Sequence, residues 1–341
     1  MTANTILPLC SSVLSFVFAA LVFDQWLQRR RGFQLVWTIG LLWYGISAGT
    51  EFLGSAFGWN EVLYRLWYLI GALFVAAYLG VGTVYLLART RFGYFAAVSV
   101  ALGGVLALAL VKRYPGSGTT ADAVFGIAIL AAVLLIYATS RRRRLTGHVA
   151  MAFLVGGSLL VSVVVLTAHI AAPGYATDHT TGVPVGNAMP GYVRVLSGPF
   201  NIAGALCLVF GAIFSTYVYM PKHKVMRAHI STPVLAQLYG AIAVLVNLIV
   251  SLPLAVATLF RGRLNSRVPA TLLIAIGGFI PGVTSGLNRF GVTWSFFLGE
   301  LLGVLFIFLG FLVSEEVFRN VRVVFTRIVI WRRPQARFET T

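Results

Sequence analysis

The sequence has few charged residues for its length. Asp, Glu, Lys and Arg make up 10% of its 341 residues, hydrophobic residues make up 59%, and the mean hydropathy is +0.89. A soluble domain carries about 25% charged residues, so this chain lacks the polar surface that water requires. The composition therefore excludes a soluble protein and predicts one that is solvated by lipid.

Acidic residues are scarcer than basic ones: nine Asp and Glu stand against 26 Lys and Arg, which gives a net charge of +17. The basic residues cluster at the ends of apolar runs and do not alternate with aromatic residues, so we exclude nucleic acid as a partner. Positive charge in these places keeps loops on the cytoplasmic side and meets anionic lipid headgroups. We therefore expect the bilayer to be the partner of these charges.

The residues that anchor common cofactors are missing from the apolar runs. All three lysines (Lys112, Lys222 and Lys224) lie at the ends of such runs, which excludes a Schiff base within a helix. Cys10 and Cys207 lie inside apolar runs and are interpreted as packing residues. There is no glycine-rich phosphate loop, paired acidic motif or His-Glu-x-x-His motif. We predict no cofactor and no metal.

Ten apolar runs approach or exceed the roughly 20 residues that a membrane-crossing helix needs. They cover approximately residues 6–27, 33–57, 62–88, 92–111, 123–139, 147–171, 192–220, 235–260, 268–287 and 293–313. The predicted fold is an all-α polytopic transmembrane bundle. We divide it into a seven-helix bundle (1–230), a three-helix extension (231–318) and a basic interfacial tail (319–341).

Clusters of basic residues orient this bundle. They recur in alternate loops, at Arg29–Arg31, Arg89/Arg91, Arg141–Arg144 and Lys222/Lys224. Because short basic loops stay in the cytoplasm, the N-terminus is predicted to lie outside, in a bacterial cytoplasmic membrane. After residue 230 two topologies stay open: three spanning helices with the tail outside, or one re-entrant segment with the tail inside.

The tail is predicted to form a basic amphipathic helix in the headgroup plane. On a helical wheel Arg319, Arg322 and Arg333 share one side, and Val324 and Trp331 face away from it. This pattern is typical of helices that bind anionic headgroups.

A weak internal repeat is also visible. Arg29–Arg31, an apolar run and a helix beginning at Tyr64-Arg65 parallel Arg142–Arg144, an apolar run and a helix beginning at Tyr192-Val193-Arg194. Helices one to three then match helices five to seven, as in transporters built from parallel repeats. The alternative is that arginine clusters recur only because topology requires them.

Ionisable groups at membrane depth are candidates for function. Glu300 lies deepest, between Gly299 and Gly303, a spacing that predicts close packing on another helix. It is either a proton- or cation-linked carboxylate or a packing acid.

Three further side chains are candidates for the same function. Asn247, together with Asn288, is a candidate polar neighbour of Glu300. Glu51 and His169 lie near the predicted outer ends of helices two and six. They either line an outward-facing pocket or are a boundary acid and a boundary imidazole that simply reach interfacial water. His169 also forms the only group with metal-ligand character, with Asp178 and His179, but a loop rich in Gly, Pro and Thr does not ensure convergence.

The beginning of the chain resembles a known sensory module. The residues that carry the resemblance are Arg29–Arg31, Trp37, Trp43, Glu51 and the segment Tyr64–Gly71. Together they resemble, over residues 1–90, the seven-helix module at the N-terminus of some bacterial histidine kinases. The resemblance implies a bundle that senses a ligand or lipid and acts through a separate partner, since three apolar runs and a basic tail follow instead of a kinase.

Three functions therefore remain open. The preferred one is a non-enzymatic bundle that binds or transports a small molecule or lipid, with Glu300, and in some arrangements Glu51, at its polar centre. The second is a structural or sensory subunit of a larger membrane complex. The third is a membrane-embedded, lipid-modifying enzyme, which requires polar groups that converge at one membrane face.

Overall fold

A computed structural model describes residues 2–171, 175, 177–178, 182–223, 225–226, 233–261, 264–290, 292–314, 320–322 and 329–332. These described residues form ten long helices, which confirms the predicted all-α bundle. The helices are α1 (Ala3–Arg29), α2 (Gly32–Phe57), α3 (Glu61–Leu86), α4 (Phe92–Leu110), α5 (Gly118–Arg141), α6 (Thr146–Thr167), α7 (Gly191–Tyr219), α8 (Pro233–Phe260), α9 (Arg267–Arg289) and α10 (Phe296–Val313).

Eight of the ten described helices, all except α2 and α8, are long and apolar enough to cross a membrane. The protein is therefore a multi-pass membrane protein. Polar interruptions in the sequence mark the helix ends. Arg30 ends α1 in the left-handed conformation (φ 51°), and Gly58 (φ 94°) ends α2. Asn60 begins α3, since its Oδ1 accepts a hydrogen bond from the amide of Leu63 at 3.0 Å.

Helix α2 is long enough to span but carries many polar residues, and it buries them against α1 and α3. The indole Nε1 of Trp37 donates to the carbonyl of Leu79 in α3 at 3.1 Å. Ser12 in α1 donates to the carbonyl of Gly45 in α2 at 2.8 Å. Polar groups are tolerated at membrane depth when they are paired with protein, and these two hydrogen bonds tie α2 to its neighbours.

Helices α3 and α7 each contain one π-helical turn, at Ile70–Phe74 and Gly198–Ile202. The two helices approach most closely at Gly80 and Gly204. A methyl group on Gly80 would lie 2.7 Å from the Cα of Gly204, and one on Gly204 would lie 2.6 Å from the amide nitrogen of Ala77. Only glycine permits this backbone-to-backbone approach.

The chain divides into two compact units. The first unit contains Met1–Ala212 and Ala275–Leu305, and the second contains Ile213–Ile274 and Phe306–Thr341. In the first unit the core is centred on α3, with Tyr64, Leu73 and Phe74 among its buried residues. In the second unit a small apolar cluster includes Met220, Ala255 and Val268. The functional division into residues 1–230, 231–318 and 319–341 stays a prediction.

The predicted amphipathic helix of the tail is wrong for the residues that are described there. Asn320–Arg322 and Val329–Arg332 form two short strands. They pair antiparallel, with Val321 opposite Trp331. β-branched and aromatic residues such as Val329, Ile330 and Trp331 favour extended backbone, and this preference outweighs the helical periodicity of the arginines. The rest of the tail lies outside the described residues.

Candidate polar site around a buried carboxyl pair

The first unit brings Glu51 of α2 and Glu300 of α10 together. Glu51 is fully buried, and its carboxyl group lies close enough to that of Glu300 for the two to interact electrostatically. The indole Nε1 of Trp67 donates to Oε1 of Glu51 at 2.8 Å. Tyr44, two turns before Glu51 on the same face of α2, donates its hydroxyl to the backbone carbonyl of Glu300 at 2.7 Å. Two acids separated by 249 positions in the sequence therefore form one polar centre.

Small residues permit this approach. A methyl group on Gly71, in the π turn of α3, would lie 2.6 Å from the hydroxyl of Ser47 in α2. On α10, a methyl group on Gly299 would overlap Thr284 of α9, and one on Gly303 would overlap Pro281. The close packing predicted from the Gly299 and Gly303 spacing is thus confirmed, and it fixes the position from which Glu300 extends.

Among the described residues, one oxygen of each carboxyl group has no hydrogen-bond donor. Oε2 of Glu51 and Oε2 of Glu300 are both buried, and neither accepts a hydrogen bond from a donor among the described residues. A buried carboxyl oxygen without a donor costs free energy. Such a buried oxygen is tolerated where a proton or a bound ligand supplies the missing hydrogen bond.

The carboxyl pair adjoins a cavity of about 370 Å³. Small-molecule sites span roughly 300–1,000 Å³, so this cavity suits a small ligand. Glu300 and Trp67 line the cavity. Glu51 lies next to both of these residues but is not part of the lining. The lining consists of Trp67, Tyr68, Gly71, Ala72, Tyr114, Thr177, Asp178, Val185, Gly186, Asn187, Arg194, Ser197, Asn201, Ser285, Asn288, Thr293, Phe296 and Glu300.

Both π turns contribute to this lining. Gly71 and Ala72 belong to the π turn of α3, and Asn201 belongs to the π turn of α7. Single π turns within α-helices occur frequently at functional sites, because the extra residue redirects side chains and weakens the helical hydrogen bonding. Two of them beside one cavity mark it as the candidate site of this unit.

Of the described residues that line the cavity, one is basic, Arg194 of α7. Its guanidinium carbon lies 4.2 Å from the centroid of the Tyr114 ring, a distance typical of cation–π contacts. Among the described residues no carboxylate forms an ion pair with it. On another part of the lining, Asn288 donates from Nδ2 to the carbonyl of Pro184 at 3.2 Å. Its Oδ1 is buried and accepts from no described donor.

The other predicted site residues lie elsewhere. His169 is exposed just after α6 and does not line the cavity. Asn247 belongs to the second unit, where its Oδ1 accepts hydrogen bonds from the amides of Val225 and Met226 at 2.9 and 3.0 Å. Asn247 therefore secures the backbone that follows α7. His179 lies outside the described residues.

Sequence reasoning selected Glu51 and Glu300 separately but did not place them together. It also missed Arg194 as a site residue, although it noted Tyr192-Val193-Arg194 as part of a repeat. The available signal was a basic residue only a few positions inside an apolar run, which is uncommon unless the charge has a polar surrounding.

Comparison with known proteins gives no match, whether with family models, curated proteins or solved structures. The fold and the site therefore define the class of this protein by themselves. It is a multi-pass helical membrane protein whose first unit contains a polar cavity next to a buried carboxyl pair.

Proposed function

We propose that this protein binds a small polar solute in the cavity of its first unit and carries it across a bacterial cytoplasmic membrane. The observation that carries the proposal is the placement of two acids at one site: Trp67, which lines the cavity, bonds Glu51, and Glu300 lines the same cavity. Buried ionisable groups at membrane depth are costly and mark substrate or proton pathways. A packing role alone gives no reason for two acids to share one site.

A proton is the natural link between the two acids. Two carboxyl groups can hydrogen-bond to each other only when one proton lies between them, and two adjacent negative charges repel strongly in a buried site. The groups that face the pair are the hydroxyl of Tyr44 and the indole of Trp67, with Arg194 and Asp178 along the cavity. Release of the proton changes the charge that a solute meets, so proton and solute binding are coupled.

Membrane placement supports the same proposal. The four residues Arg141–Arg144 are exposed at the end of α5, where guanidinium groups are free to contact anionic headgroups. By the positive-inside rule this end faces the cytoplasm, and the N-terminus lies outside.

Native mass spectrometry of the gently solubilised protein tests the proposal. We expect a discrete small-molecule adduct on the wild type that is lost in Glu300→Gln and in Ala72→Phe, which fills the cavity. Asp122→Asn, an exposed acid near the start of α5, is the matched control and should keep the adduct. An adduct that survives both cavity variants, or a wild type without any small-molecule adduct, would contradict the proposal.

A sensory function is the second candidate, and one observation favours it. Two of the residues that carry the resemblance to the histidine-kinase module are in contact, since the indole of Trp67 donates to Glu51. A sensor would bind the same solute but signal through a membrane protein partner. Stoichiometric co-purification with such a partner, together with no solute flux in proteoliposomes, would favour it over transport.

A further inference from the structure

The polar groups that line the cavity indicate which chemical groups its ligand carries. This inference rests on the function proposed above. The α9 and α10 part of the lining presents two acceptors, Oε2 of Glu300 and Oδ1 of Asn288, that have no donor within the described part of the chain. Arg194 of α7 presents donors, and no described carboxylate pairs with them. A ligand that completes both sets must carry an anionic group and a strong donor in one small molecule.

We propose that the cavity binds a small zwitterion, whose anionic group contacts Arg194 and whose ammonium group contacts Glu300 and Asn288. Arginine presents a planar pair of donors that matches a carboxylate or phosphate. An ammonium group presents three N–H donors, enough to serve both unpartnered oxygens. The aromatic rings of Trp67, Tyr68 and Phe296 also line the cavity, beside polar residues such as Asp178 and Ser197, and accommodate an apolar substituent.

This chemistry has two sources, a free amino acid and the headgroup of an aminophospholipid. Both join an anionic group to an ammonium group through a short linker. They differ in the acyl chains, which need an opening from the cavity to the bilayer. The experiment therefore uses one series of probes for each source.

In the first series, the purified protein is titrated calorimetrically with the twenty standard L-amino acids. Each one that binds is compared with the amine that lacks its carboxylate and the acid that lacks its ammonium group. In the second series, the protein is placed in nanodiscs that contain phosphatidylethanolamine or phosphatidylcholine, whose quaternary headgroup has no N–H donor. Lipid retention is then read by native mass spectrometry.

We expect binding in one of the two series. In the amino-acid series both single-charge analogues should bind at least about ten-fold more weakly than the zwitterion, and in the lipid series phosphatidylcholine should bind at least about ten-fold more weakly than phosphatidylethanolamine. Each weaker ligand leaves one buried group of the cavity unpaired. Arg194→Gln should weaken the zwitterion at least ten-fold and leave the affinity of the amine analogue unchanged. Arg91→Gln, an exposed arginine before α4, is the control. Arg194→Lys keeps the charge and should restore part of the affinity if the variant with Gln folds poorly.

Equal binding of the single-charge analogues and the zwitterion would overturn the inference, and so would the absence of binding in both series. Neither result removes the proposed function. A different adduct on the wild type that Glu300→Gln abolishes would leave the transport proposal standing and exclude only the zwitterion.

Discussion

Two arginines near the starts of the two π-turn helices have different surroundings. Arg65 in α3 donates to the carbonyls of Val165 and Ala168 at 2.6 and 2.7 Å and pairs with Glu61 at 2.6 Å. Arg194 in α7 contacts the ring of Tyr114, and no described carboxylate pairs with it. Both helices have the same local design, a basic residue followed by a π turn.

The difference shows which charge stabilises the fold and which is available to a ligand. Arg65 satisfies carbonyls at the end of α6, groups that a helix terminus leaves without partners. Its charge is therefore used within the protein. Arg194 lines the cavity, so its donors are open to a bound molecule. The two residues should respond differently to the same substitution.

The largest expected effect is that of Arg65→Gln on stability. It removes two charge-assisted hydrogen bonds to buried carbonyls, and each is worth about 1.5–3 kcal/mol. We expect a loss of about 3 kcal/mol in the free energy of unfolding, measured by denaturant titration in detergent. Arg91→Gln is the control, and an equal, small loss in both variants would contradict the structural role of Arg65.

The next effect concerns the crossing of the two helices. Gly204→Ala places a methyl group against the backbone of α3, and overpacking of this kind costs about 1–3 kcal/mol. Thermal unfolding should report the loss. Gly126→Ala in α5, where a methyl group meets no atom within 4 Å, should be neutral or slightly stabilising. Equal unfolding temperatures for the two variants would mean that α3 and α7 can move apart without a loss of stability.

Trp67→Phe tests the support of the carboxyl pair. It removes the hydrogen bond to Glu51 and leaves a further carboxyl oxygen without a donor, at a cost of about 1–2 kcal/mol. Trp43→Phe is the matched control, because the indole nitrogen of Trp43 is buried and has no acceptor among the described residues. Trp43→Phe removes a similar ring area, which packs on Phe74 and Tyr78, but no hydrogen bond. Trp67→Phe should therefore lower the unfolding midpoint more than Trp43→Phe does.

Arg194→Gln should have the smallest effect on stability. Its contact with the ring of Tyr114 is worth about 0.5–1 kcal/mol, so we expect a loss below about 1 kcal/mol in the same denaturant titration. A loss as large as that of Arg65→Gln would show that Arg194 is also used within the protein, and the comparison between the two arginines would fail.

The helices were predictable from sequence because lipid imposes a length and a composition on each run. The ten predicted runs agree with the ten described helices, and only the tail departs from the expected helical form. Glu51 and Glu300 were predictable as candidates because acids at membrane depth are rare. Their contact was not predictable, because it depends on how α2 and α10 pack, which Gly71, Gly299 and Gly303 decide through three-dimensional fit.

The cavity was beyond sequence reasoning for the same reason. Arg194 and Asn288 belong to different helices, and no local pattern brings them to one surface. The π turns of α3 and α7 leave no clear signature in residue type. The role of Asn247 as a polar neighbour of Glu300 stays a prediction, and within the second unit its side chain accepts hydrogen bonds from backbone amides.

The most direct test of the central claim is a cryo-electron microscopy map of the protein in nanodiscs prepared without detergent extraction of bound molecules. We expect non-protein density that contacts both Glu300 and Arg194, with Glu51 and Glu300 adjacent. A map in which Arg194 pairs with a protein carboxylate, no density occupies the cavity, and Glu51 and Glu300 lie apart would contradict the claim.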